Sequence, residues 1–181
     1  MNNYHIYEEV GRGKNSVVYK GRMKKTIEYV AVKSVDRNRR KKMMEEVAIF
    51  QHIQNNVIST KGENSESIRW HPNILKFYNW YETRNHFWII LEFCSGSDLY
   101  SLIEQDKMLL EDSVKQLTYE LVEGLSYLHS LGIIFCDLKP SNILMNEYNN
   151  LKFADFGLAK KIQDLSNITI KCDAEQRAAT H

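Results

Sequence analysis

The chain has little of what would send a protein to a membrane, to nucleic acid or out of the cell. Its longest apolar run, Phe87 to Leu91, is far too short to cross a bilayer. No basic-plus-apolar targeting signal opens it. Its three cysteines, Cys94, Cys136 and Cys172, are odd in number and widely spaced. That excludes a disulfide framework and a zinc site, and it suits a reducing compartment. Net charge is only +1, so nothing in the overall balance calls for a nucleic acid or acidic-membrane partner. The one basic run, Arg37, Arg39, Arg40, Lys41 and Lys42, reads as a solvated loop leading into a helix. Asn167-Ile168-Thr169 matches a glycosylation acceptor, but without a secretory route it is a chance match. What remains is a globular composition, 43% hydrophobic and 26% charged over 181 residues. A cytoplasmic domain, or two small lobes sharing a core, is the expectation.

What the chain does have is a succession of phosphate-handling residues. Residues 4–10 and 17–23 read as strands around Gly11-Arg12-Gly13-Lys14-Asn15-Ser16, a turn whose glycines let backbone N–H groups approach phosphate oxygens. Val30-Ala31-Val32-Lys33 reads as a strand ending in a lone lysine. Lys41 to Ile53 has helical spacing at Met43, Val47 and Phe50, and either Glu45 or Glu46 could face that lysine. Residues 54–70, rich in Asn, Ser, Glu and Lys, read as a long loop or inserted segment. Two strands follow, Ile74 to Glu82 and His86 to Phe93. Ser113 to Leu131 is the clearest helix, with Val114, Leu117, Leu121, Leu125 and Leu128 on one stripe, a capping box from Ser113 to Gln116, and Gly132 as its stop.

Phe135-Cys136-Asp137-Leu138-Lys139-Pro140-Ser141-Asn142, followed by Asp155-Phe156-Gly157, carries the chemistry. Asp137 is placed to accept or orient the proton of an acceptor hydroxyl. Lys139 can neutralise a transferred phosphoryl group, and Asn142 and Asp155 offer hard oxygen ligands suited to Mg²⁺. A lone match of this kind is more often an ordinary loop. The two motifs together, at this range, are not chance.

These motifs resemble the catalytic loop and metal-binding motif of the protein kinases, and Lys139 resembles the serine/threonine type. The resemblance implies an α+β, two-lobe fold: a β-rich N-lobe with one helix, then the start of a helical C-lobe. It implies ATP and Mg²⁺ as cofactors and a protein as substrate or scaffold partner. By the same resemblance, Gly11, Arg12, Gly13 and Lys14 form the glycine-rich loop, Lys33 grips the α- and β-phosphates, and Glu46 pairs with it. Leu91 would stand at the back of the adenine pocket, Glu92-Phe93-Cys94 would be the hinge whose backbone bonds the adenine, Asp98 would lie near the ribose, and Val18, Ala31 and Leu144 would complete the cofactor site. The stretches Tyr4 to Gly13, Val18 to Arg22 and Tyr81 to His86 are most similar to the Unc-51-like and Fused kinases. The implied domains are residues 4–94 for the N-lobe and hinge, 95–165 for a partial C-lobe, and 166–181 for an unpatterned tail.

Two departures and two lengths bear on activity. Phe135-Cys136-Asp137 stands where the family usually has His-Arg-Asp. Phe135 should keep an apolar column with Phe50, Phe77 and Phe156. Cys136 cannot pair with a phosphate on the activation segment as arginine does. Residues 54–70 could be a species-specific loop or a gene-model artefact such as retained intron sequence. No Ala-Pro-Glu follows Lys160, so the Leu stripe near Leu121 and Leu125 should be partly uncovered and the chain poorly soluble or dependent on a partner. The alternative to an active kinase is a non-catalytic nucleotide-binding or scaffolding module.

Overall fold

The computed structural model describes residues 3–59 and 70–164. Five strands, Tyr4–Arg12 (β1), Ser16–Met23 (β2), Tyr29–Asp36 (β3), Phe77–Glu82 (β4) and His86–Glu92 (β5), form one antiparallel sheet in the order β1-β2-β3-β5-β4. β-Branched and aromatic residues along these segments favour the pleated conformation. The register sets Val18 opposite Lys33, and Lys33 opposite Ile89. Because side chains alternate across a sheet, Val18, Ala31, Lys33 and Leu91 share one face, and Val17 and Ser34 the other.

Helix α1, Arg40–Ser59, crosses this sheet after a 3-10 turn at Arg37–Arg39 that Asp36 caps by accepting from the N–H of Asn38. Met43, Val47, Phe50 and Ile53 recur every three or four residues and are all buried. Helix α1 also carries through residues 54–59, where the sequence predicts loop. The periodicity simply fades there as polar residues replace the buried ones. Residues 60–69, the rest of the expected insert, lie outside the described residues.

The second half begins with Leu99–Asp106 (α2) and Glu111–Ser130 (α3), followed by short strand pairs: Ile133–Ile134 (β6) with Lys160–Lys161 (β9), and Ile143–Met145 (β7) with Leu151–Phe153 (β8). Two expectations need correction. The cap of α3 is Leu110, with no side-chain bond, so the Ser113–Gln116 capping box does not form. Glu111 and Asp112 in the first turn and His129 in the last favour the helix dipole instead. The strand at Val30 does not end at Lys33 but runs three residues on, to Asp36. The stripe on α3 is graded: Leu128 is buried, Leu117, Leu121 and Leu125 are half-buried, and Val114 is exposed. Close approach is possible because position 124 is glycine. A Cβ there would sit 2.4 Å from the ring of Phe153.

One core runs through both halves. Phe77 stacks on Phe50 at 5.2 Å, Phe50 meets Phe156 at 5.0 Å, and Phe156 meets Phe135 edge-on at 5.2 Å. The four rings come from β4, α1, the turn after β8 and the loop after β6. At about 1.5–3 kcal/mol for each buried side chain, this column is a main tie between the halves. Phenylalanine at 135 fills its place fully, and Phe153 packs on it from the side at 5.1 Å. The fold is the expected α+β arrangement. Residues 165–181, which hold the unpatterned tail, Cys172 and the Asn167 tripeptide, lie outside the described residues.

Candidate active site

Lys33 stands at the centre of the cleft between the sheet and the second half. Its Nζ donates to both oxygens of Glu46, at 2.8 and 3.0 Å, and to Oδ1 of Asp155 at 3.0 Å. Of the two candidate glutamates on α1 it is therefore Glu46 that meets the lysine. Glu45 faces Lys160 at 3.1 Å. Burial works against the charge on Lys33, but Glu46 and then Asp155 outweigh it and hold its pKa above the ordinary lysine value. A raised lysine pKa stabilises the fold below that ordinary value and loses its contribution only as pH climbs through the folded one. The group is charged throughout the neutral range.

Across the cleft, the segment after β6 forms a compact knot. Asn142 is buried, and its Nδ2 donates to the backbone carbonyl of Asp137 at 2.9 Å and to Oδ2 at 2.7 Å. Lys139 donates to the same carboxylate oxygen at 2.8 Å. Lys139, together with the Asn142 bond, lowers the Asp137 pKa below the ordinary 3.8 against a smaller cost of burial. Cys136, just before it, adopts a left-handed backbone with φ 64°. Asp155 is left-handed too, with φ 60°, and its side chain stays 54% exposed. Exposed acid, paired lysine and buried asparagine are thus held by elements distant in sequence.

The adenine-side residues are also brought together. Ala31 and Leu91 are partners across β3 and β5, Phe77 backs Leu91, and Leu144 bridges to Asp98. Phe93 and Cys94 follow directly on β5, where the chain leaves the sheet for α2. Burial, and then Glu92, push the Cys94 thiol up to about 12, so it is unreactive at neutral pH. Two of the expected site residues have carboxylates with partners of their own. The Asp98 carboxylate caps α2, accepting from Ser101 N–H and Oγ at 2.9 Å each. The Glu92 carboxylate pairs with Lys152 at 2.9 Å.

The glycine turn is closed by the Gly13 N–H donating to the Ser16 carbonyl at 2.9 Å. Arg12 pairs with Glu9, and both Arg12 and Lys14 line a depression of about 500 Å³ shared with Val17 and Ser34, on the sheet face opposite Lys33. What this turn offers the cleft comes from Gly11, Gly13 and backbone, not from those two side chains. Sequence reasoning missed Lys152 and Lys160 altogether. A lysine inside a strand of apolar neighbours, Leu151-Lys152-Phe153, was the available signal for the first.

A cleft built from a paired strand lysine, a metal-type acid and an Asp–Lys–Asn loop defines a phosphate-handling fold. The family described as "Protein kinase domain" matches residues 4–179, and the chain belongs to it. That match runs past residue 165, where the sequence reading ends the resemblance. The chain is 52% identical over 166 residues to serine/threonine-protein kinase RUNKEL of Arabidopsis thaliana, covering 92% of this chain and 11% of that protein. It is 42% identical over 160 residues to serine/threonine-protein kinase ULK4 of Mus musculus, covering 88% and 11%. Serine/threonine-protein kinase 36 of Mus musculus is 32% identical over 160 residues, again 88% and 11%. The chain therefore spans about a tenth of the length of these relatives. The Unc-51-like likeness seen in the opening strands agrees with these relatives.

Proposed function

We propose that this chain binds Mg-ATP in the cleft at Lys33 and is the nucleotide-binding part of a cytoplasmic serine/threonine protein kinase. The observation that carries this is Lys33 held by Glu46 and Asp155 opposite the Asp137–Asn142 knot. Such a lysine presents a fixed, permanent positive charge to the α- and β-phosphates. Leu91, Ala31, Val18 and Leu144 pack the adenine, and the backbone of Cys94 bonds its edge.

The donor set fits a magnesium ion. Both side-chain hydrogen bonds of Asn142 use Nδ2, which leaves Oδ1 for a cation, and the Lys33 bond to Asp155 uses Oδ1, which leaves Oδ2. No group of three or more His, Cys, Asp or Glu among the described residues could hold a metal alone. The remaining ligands would be phosphate oxygens and water, the usual manner for Mg²⁺. Asn142 and Asp155 would hold the ion, which would offset phosphate charge. Asp137, kept ionised, orients an acceptor hydroxyl, and Lys139 offsets charge on the moving phosphoryl group. The acceptor is a protein serine or threonine, and no nucleic-acid partner is invoked. Among the described residues no helix is long and apolar enough to cross a membrane.

The test is thermal shift and calorimetry with Mg-ATP on the chain, with Asp155→Asn as control. We expect binding that depends on magnesium and is weakened at least tenfold in the variant. Binding that ignores both would remove the metal assignment, and no binding at all would remove the proposal. Radiolabel transfer to a generic protein substrate then separates an active kinase from a non-catalytic nucleotide-binding module.

A further inference from the structure

Glu45 and Glu46 are neighbours on α1, about 100° apart around the helix, so they reach different lysines. Glu46 takes Lys33 on the sheet. The Oε2 of Glu45 lies 3.1 Å from Nζ of Lys160. Lys160 opens β9, which pairs with β6 through Ile134, two residues before Cys136. At this corner the described residues offer Lys160 no acid but Glu45, and they offer the Cys136 thiol only the Ile134 carbonyl, at 3.5 Å. Helix α1 is thus fastened twice by adjacent carboxylates. One fastening goes to the sheet and the other to the strand that follows Asp155-Phe156-Gly157.

We infer that Glu45 and Lys160 are positioning residues whose ion pair holds α1 in the place where Glu46 meets Lys33, without any added anion. A phosphate brought to this corner would meet the Glu45 carboxylate, find Lys160 already neutralised, and have a thiol rather than a cation at position 136. It would compete with the pair instead of completing it. The corner is set permanently by the chain's own charges. The functional meaning of this device rests on the nucleotide site proposed above; the mechanical claim does not.

Charge reversal tests it, because both side chains are about 40% exposed and can change sign without burying a charge. Backbone hydrogen exchange of residues 40–59 in the full chain without nucleotide reads the position of α1 directly. Glu45→Lys and Lys160→Glu should each speed exchange about three- to tenfold, the range a half-exposed pair and its reversal can move. The double swap, Glu45→Lys with Lys160→Glu, should return exchange to within about twofold of wild type. Mg-ATP affinity should follow the same order. Single variants that exchange like wild type, or a double variant no better than the singles, would overturn the inference. Exchange that follows the swap while wild type binds no Mg-ATP leaves this pair standing and sinks the nucleotide site instead.

Discussion

Lys33 and Lys152 invite comparison because each is a nearly buried lysine, 12% and 9% exposed, paired with a glutamate from another element. Lys152 sits on β8 and reaches Glu92 at the end of β5. The other oxygen of Glu92 accepts the N–H of Lys76 at 3.0 Å. Lys33 reaches Glu46 and, in addition, Asp155. Asp155 lies three residues beyond Lys152, so a single short segment is stitched to the sheet side at both ends. The rear stitch is closed, since both oxygens of Glu92 are engaged and Lys152 is almost out of water. The front stitch ends on an acid that is 54% exposed and open to a further partner. One lysine fixes how the halves approach, and the other is the one the proposed nucleotide site would use.

The sharpest way to break this contrast is Lys33→Met. Removing it strands Glu46, whose side chain is only 6% exposed, and leaving a buried charge unpaired costs about 3–5 kcal/mol. Adding Glu46→Leu should recover most of that stability, because a buried pair can be replaced by apolar groups at little cost. Mg-ATP binding should stay lost in both variants. If the double variant regained binding along with its melting temperature, Lys33 would be structural like Lys152.

The column of rings sharpens the contrast from the other side, since it places Asp155 by burying its neighbour Phe156. Phe135→Ala should cost about 3–5 kcal/mol in chemical denaturation, the usual loss for a fully buried ring. Phe135→Leu should cost less than half as much and keep nucleotide binding. A far smaller loss for alanine would mean that the ion pairs alone hold the segment.

Lys152→Met should cost only about 1–2 kcal/mol, because Glu92 is 22% exposed and can turn to water. Mg-ATP affinity should stay within about threefold of wild type, since Glu92 contributes to the cleft through backbone rather than carboxylate. A tenfold loss of affinity would show that the rear stitch also tunes the site.

How far the sequence carries depends on whether the physics is local. The strands, α1, the Asp137 knot and the ring column through Phe50, Phe77, Phe135 and Phe156 are legible, because periodicity and motif spacing speak for each. The choice of Glu46 over Glu45 needed the resemblance, and the structure explains both carboxylates at once. Lys152 is marked locally only as a charge between Leu151 and Phe153, and Lys160 is not marked at all; their partners, Glu92 and Glu45, lie 60 and 115 residues away, and no local pattern says which acid a lysine will meet. The Asp98 cap has a simple local origin: Ser101 stands three residues on, at the start of α2. The end of α1 was missed because residues 54–57 are half-buried or exposed, so no stripe marks them.

The smallest effect concerns the exposed lysine, Lys139, and it separates charge placed for chemistry from charge placed for folding. Lys139 is the chief reason that the Asp137 carboxyl titrates below 3.8. A carboxylate with a depressed folded pKa stabilises above the unfolded value and loses that contribution as pH falls through the folded one. Lys139→Met should therefore lower the melting temperature slightly above about pH 4, and the difference should shrink as the solution is acidified further. Asn142 still donates to Asp137 in this variant, so the knot keeps its shape. Between about pH 5 and 8, Asp137 should remain ionised in both proteins, and phosphoryl transfer, where measured, should show no acid limb belonging to it. A melting difference that instead grew below pH 4 would place the Lys139 contribution elsewhere than on Asp137. A transfer profile with an acid limb between pH 5 and 8 that disappears in Asp137→Asn would show that ligand binding reverses the shift, by drawing Lys139 away to the phosphoryl group.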